Sequence, residues 1–270
     1  MILSNFHAHT TYSDGSNTAE EMVKAALAMG LSAFGLSDHA YEPGGESYAM
    51  SVEATAAYKA EMSALKAKYA GQIELLCGVE QDINSPLPTD DYDYVIGAAH
   101  SITVGGKRYS VDWKERFLVA DVNELFGGDF YAYAEAYYRT VGTVARVTKC
   151  DIVAHFDLVT KFNEGDKLFD TAHPRYRAAA IDTMREILKD CNVFEVNTGA
   201  MSGAGRTEPY PQPWLLRELR ERGGAVILSS DSHSTDTICY KFAAMEELLR
   251  EAGFSCRKML TRDGFIDIKL

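Results

Sequence analysis

Cysteine is scarce in this chain of 270 residues, and its five cysteines include no C-x-x-C pair. They are widely separated along the chain, at Cys77, Cys150, Cys191, Cys239 and Cys256. A structural zinc site built on thiolates normally needs closely spaced cysteines, so this pattern argues against one. We expect reduced and mostly buried thiols.

Positive charge is also in short supply, because 27 Lys and Arg face 39 Asp and Glu, which gives a formal net charge of −12. A nucleic-acid surface normally needs clustered Lys and Arg, and the sequence has no such cluster. No apolar run approaches the roughly 18 to 20 residues of a membrane helix. The chain reaches His7 after only a few apolar residues, without a signal-peptide pattern. We therefore expect a cytoplasmic protein that binds neither nucleic acid nor membrane, with its oligomeric state left open.

Short apolar runs alternate with helical segments along the whole chain. Seven strand-like runs cover residues 1–3, 33–39, 73–79, 94–99, 151–154, 193–196 and 225–229. This alternation implies parallel strands joined by right-handed crossovers, and the lack of strict period two suits strands covered on both faces. Either an open doubly wound sheet or a closed barrel is compatible with the pattern. We predict one α/β domain over residues 1–270.

Helix and turn signals separate these runs. Thr18 and Glu21 form a capping box, and Gly30 stands where a helix C′ residue is expected. The predicted helices then cover residues 19–29, 52–69, 129–147, 174–190, 213–222 and 237–252. Residues 101–112 are typical of a hairpin, inside an irregular lid-like insert near 101–130. Residues 199–205 are predicted as a glycine-rich loop and residues 265–270 as an edge strand.

Histidines and acidic residues follow the predicted strands. Six of the seven histidines, together with Glu80 and Asp231, lie at or just after the end of a strand-like run, and Asp14 lies in the loop after the first. His7 and His9 are two residues apart, so their side chains point the same way from an extended segment. If the sheet closes into a barrel, all these groups meet at one rim. Scattered surface histidines would not fall in this way, and we predict a metal centre.

The number of candidate ligands exceeds what one ion needs. A single catalytic zinc takes about three protein ligands and keeps one position open. The candidates here are His7, His9, Asp14, His39, Glu80, His100, His155, Asp231 and His233. Such a set suits two or three divalent ions, and imidazole with carboxylate suits Zn²⁺, Fe²⁺ or Mn²⁺. Adjacent ions that share a hydroxide stabilise both attacking and leaving oxygens, which is the hydrolytic mode suited to phosphate esters.

The candidate ligands stand in a specific order of short motifs. These motifs are His7-Ala8-His9, Ser37-Asp38-His39, Glu80, His100, His155 and Asp231-Ser232-His233. In order and in kind they resemble the polymerase-and-histidinol-phosphatase (PHP) family of metal-dependent phosphoesterases, over nearly the whole chain. Within the family, the chain is most similar to the histidinol-phosphatase branch. That narrower likeness rests on His100-Ser101-Ile102, the hairpin to Asp112, Tyr137-Tyr138, His155-Phe156-Asp157-Leu158, Asn197-Thr198-Gly199 and Glu208-Pro209-Tyr210-Pro211.

The resemblance implies a distorted (β/α)₇ barrel with a trinuclear centre at the carboxyl ends of its strands. Carried over residue by residue, one site would use His7, His9, Glu80 and Asp231, a second Glu80, His100 and His155, and a third Asp14, His39 and His233. Some relatives have a histidine where this chain has Asp14. The implied reaction is hydrolysis of L-histidinol phosphate to L-histidinol and phosphate, a step of histidine biosynthesis, by attack of a metal-bridging hydroxide. Glu80 would bridge the ions, and Asp231 or His233 would assist proton transfer to the leaving group.

The small phosphate-monoester substrate also needs binding groups. It brings about two negative charges, so cationic side chains should complete the site. Lys161 follows His155, and Arg206 lies in the loop after Asn197, which could itself hydrogen-bond the phosphate. The cationic amine of histidinol favours a carboxylate, and the candidates for that contact are Glu42, Asp112 and Glu115.

Other functions of the same family stay open at this point. They are a phosphodiesterase or nuclease, a protein-tyrosine phosphatase, and a non-catalytic domain that has lost its metals. The acidic net charge and the insert near residues 101–130 favour a small, enclosed substrate. The complete ligand set argues against a domain without metals.

Overall fold

The main feature of the computed structural model, which describes residues 3–45 and 47–270, is a nine-stranded sheet surrounded by helices. The strands in this part of the chain are β1 (Ser4–Asn5), β2 (Ala33–Leu36), β3 (Glu74–Asp82), β4 (Tyr94–Ala98), β5 (Ser101–Val104), β6 (Lys107–Ser110), β7 (Ile152–Val153), β8 (Val193–Asn197), β9 (Ala225–Ser229), β10 (Cys256–Thr261) and β11 (Gly264–Lys269). The α-helices are α1 (Ala19–Ala28), α2 (Val52–Lys68), α3 (Glu115–Phe126), α4 (Phe130–Val141), α5 (Val144–Thr148), α6 (Pro174–Ile187), α7 (Gly199–Gly203), α8 (Pro213–Glu221) and α9 (Phe242–Glu251).

Seven of the strands form a parallel barrel. They pair in the order β1, β2, β3, β4, β7, β8 and β9, and every pairing is parallel. The two ends meet just beyond β1 and β9, where Ala8 bridges Ser232 and the His9 N–H donates to the Ser232 carbonyl at 2.8 Å. Further back, β9 pairs instead with β10, through Ile227 and Lys258. Because this edge of β9 pairs with β10 and the two ends of the barrel meet only beyond β9, the barrel is distorted, in agreement with the expected distorted (β/α)₇ barrel.

Apolar side chains fill the barrel below its carboxyl end. Tyr94 is fully buried there, and its hydroxyl donates to the Phe6 carbonyl at 2.6 Å. Gly35 and Gly78 leave room for its ring, since a Cβ at these positions would lie 2.2 and 2.1 Å from Tyr94 atoms. This packed apolar interior leaves the carboxyl end of the barrel as the place where polar side chains can gather.

Most of the predicted helices are confirmed, with one break. The capping box of Thr18 and Glu21 begins α1, and Gly30, with φ +77°, follows its end. The helix predicted over residues 129–147 is wrong as one unit, because it divides into α4 and α5. Gly142 caps the end of α4, and glycine has a low helix propensity. Within the described ranges, no helix has the length and apolar character needed to cross a bilayer.

Several element boundaries differ from the sequence prediction. Two of the three residues predicted as a first strand, Met1 and Ile2, lie outside the described residues, and β1 covers the next segment, Ser4–Asn5. Residues 101–130 hold the predicted hairpin, but also the regular helix α3. The predicted loop at 199–205 begins as the short helix α7, and the last helix starts at Phe242 rather than at 237. The predicted edge strand exists as β11, and it pairs antiparallel with β10, which the prediction missed.

Candidate metal centre

All nine predicted ligands lie together at the carboxyl end of the barrel. They come from six strands or the segments that follow them, namely β1 (His7, His9 and, further along, Asp14), β2 (His39), β3 (Glu80), β4 (His100), β7 (His155) and β9 (Asp231, His233). Their ligand atoms form three groups within which every pair lies inside 4.8 Å: His9, Asp14, His39 and His233; His7, His9 and Glu80; and His39, Glu80 and His100. His155 and Asp231 adjoin these groups, at 2.9 Å from Glu80 and 3.1 Å from His9.

The Glu80 carboxylate lies at the middle of the cluster. Its Oε2 is 2.8 Å from His39 Nδ1 and 3.3 Å from His7 Nε2. Its Oε1 is 2.9 Å from His155 Nε2 and 3.3 Å from His100 Nε2. Each oxygen therefore faces a different pair of imidazoles, which is the arrangement that a bridging ligand needs.

Three buried atoms of this cluster show that the residues fit a metal ion. His7 Nε2, His9 Nδ1 and Glu80 Oε2 have no hydrogen bond of good geometry within the described part of the chain. Leaving a buried polar atom unpaired costs about 1–3 kcal/mol. Divalent cations bound in the cluster would satisfy these atoms, and imidazole nitrogen and carboxylate oxygen are ligands that Zn²⁺, Fe²⁺ and Mn²⁺ accept.

The imidazoles and carboxylates of the cluster lie so close together that they shift one another's pKa values. Burial, followed by the nearby imidazoles of His233 and His39, lowers the pKa of His9 to about 4. Burial opposes the ionisation of Glu80 and Asp231, but the surrounding histidines hold the pKa of both carboxyl groups well below their usual range. The two carboxylates are therefore ionised at neutral pH and ready to bind a cation without losing a proton.

Asp231 reaches the cluster through an unusual backbone conformation. Its φ of +49° is left-handed, which costs free energy in most residues but is better tolerated by aspartate. Its Oδ1 lies 3.1 Å from His9 Nε2, and its Oδ2 accepts a hydrogen bond from Asn197 Nδ2 at 3.2 Å. Gly199 packs against it so closely that a Cβ there would lie 2.8 Å from the Asp231 Cβ. The segments after β8 and β9 thus hold this carboxylate in place.

The cluster forms the floor of a cavity of about 670 Å³. Its walls include Glu42, Tyr48, Asp112, Trp113, Lys161 and Tyr210. Lys161 Nζ lies 3.2 Å from Asp112 Oδ2, and it is the one lysine or arginine among the described residues that line the cavity. The volume and the mixture of aromatic and charged walls suit a small, charged organic ligand.

The other two predicted substrate-binding residues lie behind the cavity wall. Arg206 is 4% exposed, donates to the Thr160 carbonyl, and places its guanidinium 5.1 Å from the centre of the Tyr210 ring. It lines a separate cavity of about 390 Å³. Asn197 is 1% exposed, and its amide oxygen accepts from the Gly199 N–H at 2.8 Å. Their direct contact with substrate stays a prediction, since the structure brings only Lys161 to the cavity surface.

Sequence reasoning missed two buried carboxylates behind the histidines. Glu195 Oε2 lies 2.8 Å from His7 Nδ1, and Asp82 Oδ2 lies 3.1 Å from His100 Nδ1. Both had a signal in the sequence, because each is an acidic residue within a strand that is otherwise buried. Asp82 also follows Glu80 by two residues, so it shares the same face of β3.

Comparisons with known proteins agree with this geometry. The family model described as PHP domain matches residues 5–199. A Deinococcus radiodurans protein named probable histidinol-phosphatase is 29% identical over 95% of this chain and 98% of its own length. A Listeria monocytogenes structure assigned as a histidinol phosphatase gives a TM-score of 0.77 at 19% identity, covering 90% of this chain and 99% of that one. The Lactococcus lactis histidinol phosphate phosphatase, solved with zinc, L-histidinol and phosphate, gives 0.72 at 18% identity, covering 97% and 98%.

The two solved structures share the fold of this chain over nearly their whole length. The family model covers more than half of the residues, including seven of the nine candidate ligands, all but Asp231 and His233. By this match, the chain belongs to the PHP domain family.

Proposed function

We propose that this protein is a metal-dependent phosphomonoesterase that hydrolyses L-histidinol phosphate to L-histidinol and phosphate. The observation that carries the proposal is the convergence of nine imidazole and carboxylate side chains at one end of the barrel, where six of them line one cavity. The substrate follows from the relatives, since the Deinococcus radiodurans protein, which is named a histidinol-phosphatase, matches nearly end to end. The Lactococcus lactis relative binds L-histidinol and phosphate together with zinc.

The metal ligands support two or three divalent ions, of Zn, Fe or Mn. The sets we propose are His7, His9, Glu80 and Asp231; Glu80, His100 and His155; and Asp14, His39 and His233. His9 and His39 each lie within reach of two of the observed groups, so either could bind a neighbouring ion instead. Ions bound there would polarise the phosphate oxygens and lower the pKa of a bound water.

Asp231 or His233 would assist proton transfer to the leaving group. Both line the cavity, and His233 Nδ1 donates to the Asp231 carbonyl at 3.0 Å. The His233 side chain is 41% exposed and that of Asp231 is 21% exposed. His233 is therefore the more open of the two to the cavity, whereas Asp231 lies closer to the buried ligands.

The walls of the cavity match the two charged ends of histidinol phosphate. Lys161 supplies a cation for the phosphate, which carries about two negative charges. Glu42 and Asp112 present carboxylates that can receive the substrate amine. Tyr48 holds Glu42 in place by donating its hydroxyl proton to Oε2 at 2.8 Å. A substrate with one cationic and one anionic end fits this surface better than a phosphodiester chain of uniform negative charge.

The proposal is tested by phosphate release, measured as kcat/KM, from L-histidinol phosphate beside an aryl phosphate, a nucleoside monophosphate, a phosphotyrosine peptide and an aryl phosphodiester. We expect a preference of several orders of magnitude for histidinol phosphate, loss of activity after chelation, and recovery with Zn²⁺, Fe²⁺ or Mn²⁺. Equal, weak rates on all monoesters would overturn the substrate assignment and leave the metal chemistry. A preference for the diester or the phosphotyrosine peptide would move the protein to another branch of the family.

A further inference from the structure

We propose that Glu195 is a positioning residue, which fixes His7 in the tautomer that can bind a metal ion. Glu195 is not among the nine candidate ligands, and it is fully buried within β8, between Phe194 and Val196. The inference rests on the metal centre of the proposed function and goes beyond it, because it assigns a task to a group that would touch neither metal nor substrate.

The two oxygens of Glu195 face different partners. Oε2 lies 2.8 Å from His7 Nδ1. Oε1 accepts the backbone N–H of His155 at 2.6 Å and the side-chain Nδ2–H of Asn197 at 2.7 Å. Glu195 thereby joins the segment after β1 to the segment after β7. With donors on both oxygens, the carboxylate cannot rotate without breaking hydrogen bonds.

The two nitrogens of the His7 ring are correspondingly distinct. Nδ1 faces Glu195, while Nε2 faces the cluster, 3.3 Å from Glu80 Oε2 and 3.5 Å from Asp231 Oδ1. Nε2 has no hydrogen-bond partner among the residues that the structure describes. A carboxylate can only accept, so Nδ1 must donate its proton to Glu195. In the neutral ring this leaves the lone pair on Nε2, pointing to the place where an ion would bind.

The same support extends to a second ligand. Asn197 lies two residues after Glu195, on the same face of β8. Its Nδ2 donates both to Glu195 Oε1, at 2.7 Å, and to Asp231 Oδ2, at 3.2 Å. Glu195 therefore anchors the side chain that helps to aim Asp231, and the ligands after β1 and after β9 depend on one buried carboxylate.

Glu195→Gln separates positioning from mere packing, because it keeps the shape and changes one hydrogen-bonding atom. Two donors point at the Oε1 position, so the amide oxygen must stay there. The new NH₂ group then faces His7 Nδ1, which can only accept. The ring proton moves to Nε2 and blocks the metal-facing nitrogen. We expect the affinity for Zn²⁺ to fall about 10- to 100-fold, measured by competition with a chromogenic chelator.

A second readout follows the tautomer itself. In the metal-free protein with ¹⁵N-labelled histidine, measured at a pH high enough for the His7 ring to be neutral, we expect its one proton on Nδ1 in the wild type and on Nε2 in Glu195→Gln. Glu195→Asp keeps a carboxylate and should recover part of the Zn²⁺ affinity with the proton again on Nδ1. A purely structural role would lower the thermal midpoint of the variants without moving the tautomer or the dissociation constant.

Glu246→Gln is the matched control. Glu246 is also a buried glutamate, 7% exposed, and its Oε1 accepts from Arg257 Nε at 3.1 Å, outside the metal cluster. This variant should lose stability and keep the wild-type Zn²⁺ affinity. If wild type binds Zn²⁺ and Glu195→Gln binds it equally tightly, the inference fails and the proposed function stands. If wild type binds no metal, the proposed function fails. If Glu195→Gln does not fold, two other results overturn the inference. One is a neutral wild-type His7 ring with its proton on Nε2. The other is a full loss of Zn²⁺ affinity in Glu195→Asp while the proton of the neutral ring stays on Nδ1.

Discussion

Replacing Glu80 with glutamine tests the metal centre at the point where its ligands meet. The Glu80 carboxylate lies 2.8 Å from His39, 2.9 Å from His155, and 3.3 Å from both His7 and His100. It belongs to two of the three groups of potential ligand atoms, so one substitution weakens both. Glu80 is 1% exposed, and water cannot readily take the place of the lost charge.

The size of the effect follows from burial and charge. Removing one partner from a buried, charged pair costs about 3–5 kcal/mol. At about 1.4 kcal/mol for each tenfold change, this corresponds to roughly two to four orders of magnitude in metal affinity. The amide of Glu80→Gln keeps one neutral oxygen that can still bind an ion, which favours the lower part of that range. Activity should fall by at least the same factor when metal is limiting.

Three measurements on Glu80→Gln check this prediction. They are the metal content after purification without chelators, the dissociation constant for Zn²⁺ by chelator competition, and kcat/KM for L-histidinol phosphate. Asp14→Asn is the comparison, because Asp14 belongs to only one group and its side chain is 31% exposed, so it should lose less metal. Wild-type metal content together with wild-type kcat/KM in Glu80→Gln would refute the bridging role and the reasoning behind it.

Three further predictions concern single side chains. Lys161→Met removes the cation beside Asp112. Since a hydrogen bond to a charged group contributes about 1.5–3 kcal/mol, KM for L-histidinol phosphate should rise roughly 10- to 100-fold while the thermal midpoint stays unchanged. An unchanged KM would contradict this prediction. Burial raises the pKa of Asp157 to about 6, above its unfolded value, so the native state holds an extra proton and its free energy of unfolding falls as pH rises from about 4 to 6. In urea unfolding, Asp157→Asn should therefore gain about 3 kcal/mol relative to wild type across that pH range. Parallel curves of unfolding free energy against pH would refute the pKa shift. Although burial opposes the shift, the hydrogen bond with Asp14 raises the pKa of metal-free His233 to about 9. Zn²⁺ binding at pH 7 should therefore release a proton, and the affinity for Zn²⁺ should weaken as pH falls. Calorimetry in buffers of different ionisation enthalpy measures the proton release, and identical binding heats in all buffers would contradict the prediction.

The barrel could be predicted because its strands are short apolar runs that end in polar ligands. Where such signals were weak, the prediction failed. Helix α3 begins after Lys114, which makes no side-chain capping bond, so the sequence gives no N-cap signal for it. Strand β10 contains Arg257, which is 2% exposed because it pairs with Glu246 on α9. A charged residue that is buried by pairing with a residue distant in sequence makes a strand look exposed, so an argument based on hydrophobicity misses the strand.

The ligands could be predicted from their places after the strands, but the walls of the cavity could not. Lys161 and Arg206 both follow barrel strands in the sequence, and nothing there distinguishes them. The structure places Lys161 at the cavity, whereas Arg206 turns away to the Thr160 carbonyl and the Tyr210 ring. That difference depends on the conformation of the loops, which pack by contacts between segments far apart in the chain.

The balance of charge explains why the carboxylates behind the histidines matter to the proposed reaction. Asp14, Glu80 and Asp231 face the cluster, and Asp82 and Glu195 lie directly behind it. The charge of these carboxylates nearly cancels that of two or three divalent ions, so the loaded centre has only a small net charge. Without ions, protons on the histidines must take over that compensation, which makes metal binding an exchange of cations for protons. A phosphate dianion would then be attracted by local contacts at the cavity floor rather than by a strong overall field, and this leaves discrimination among substrates to the cavity walls.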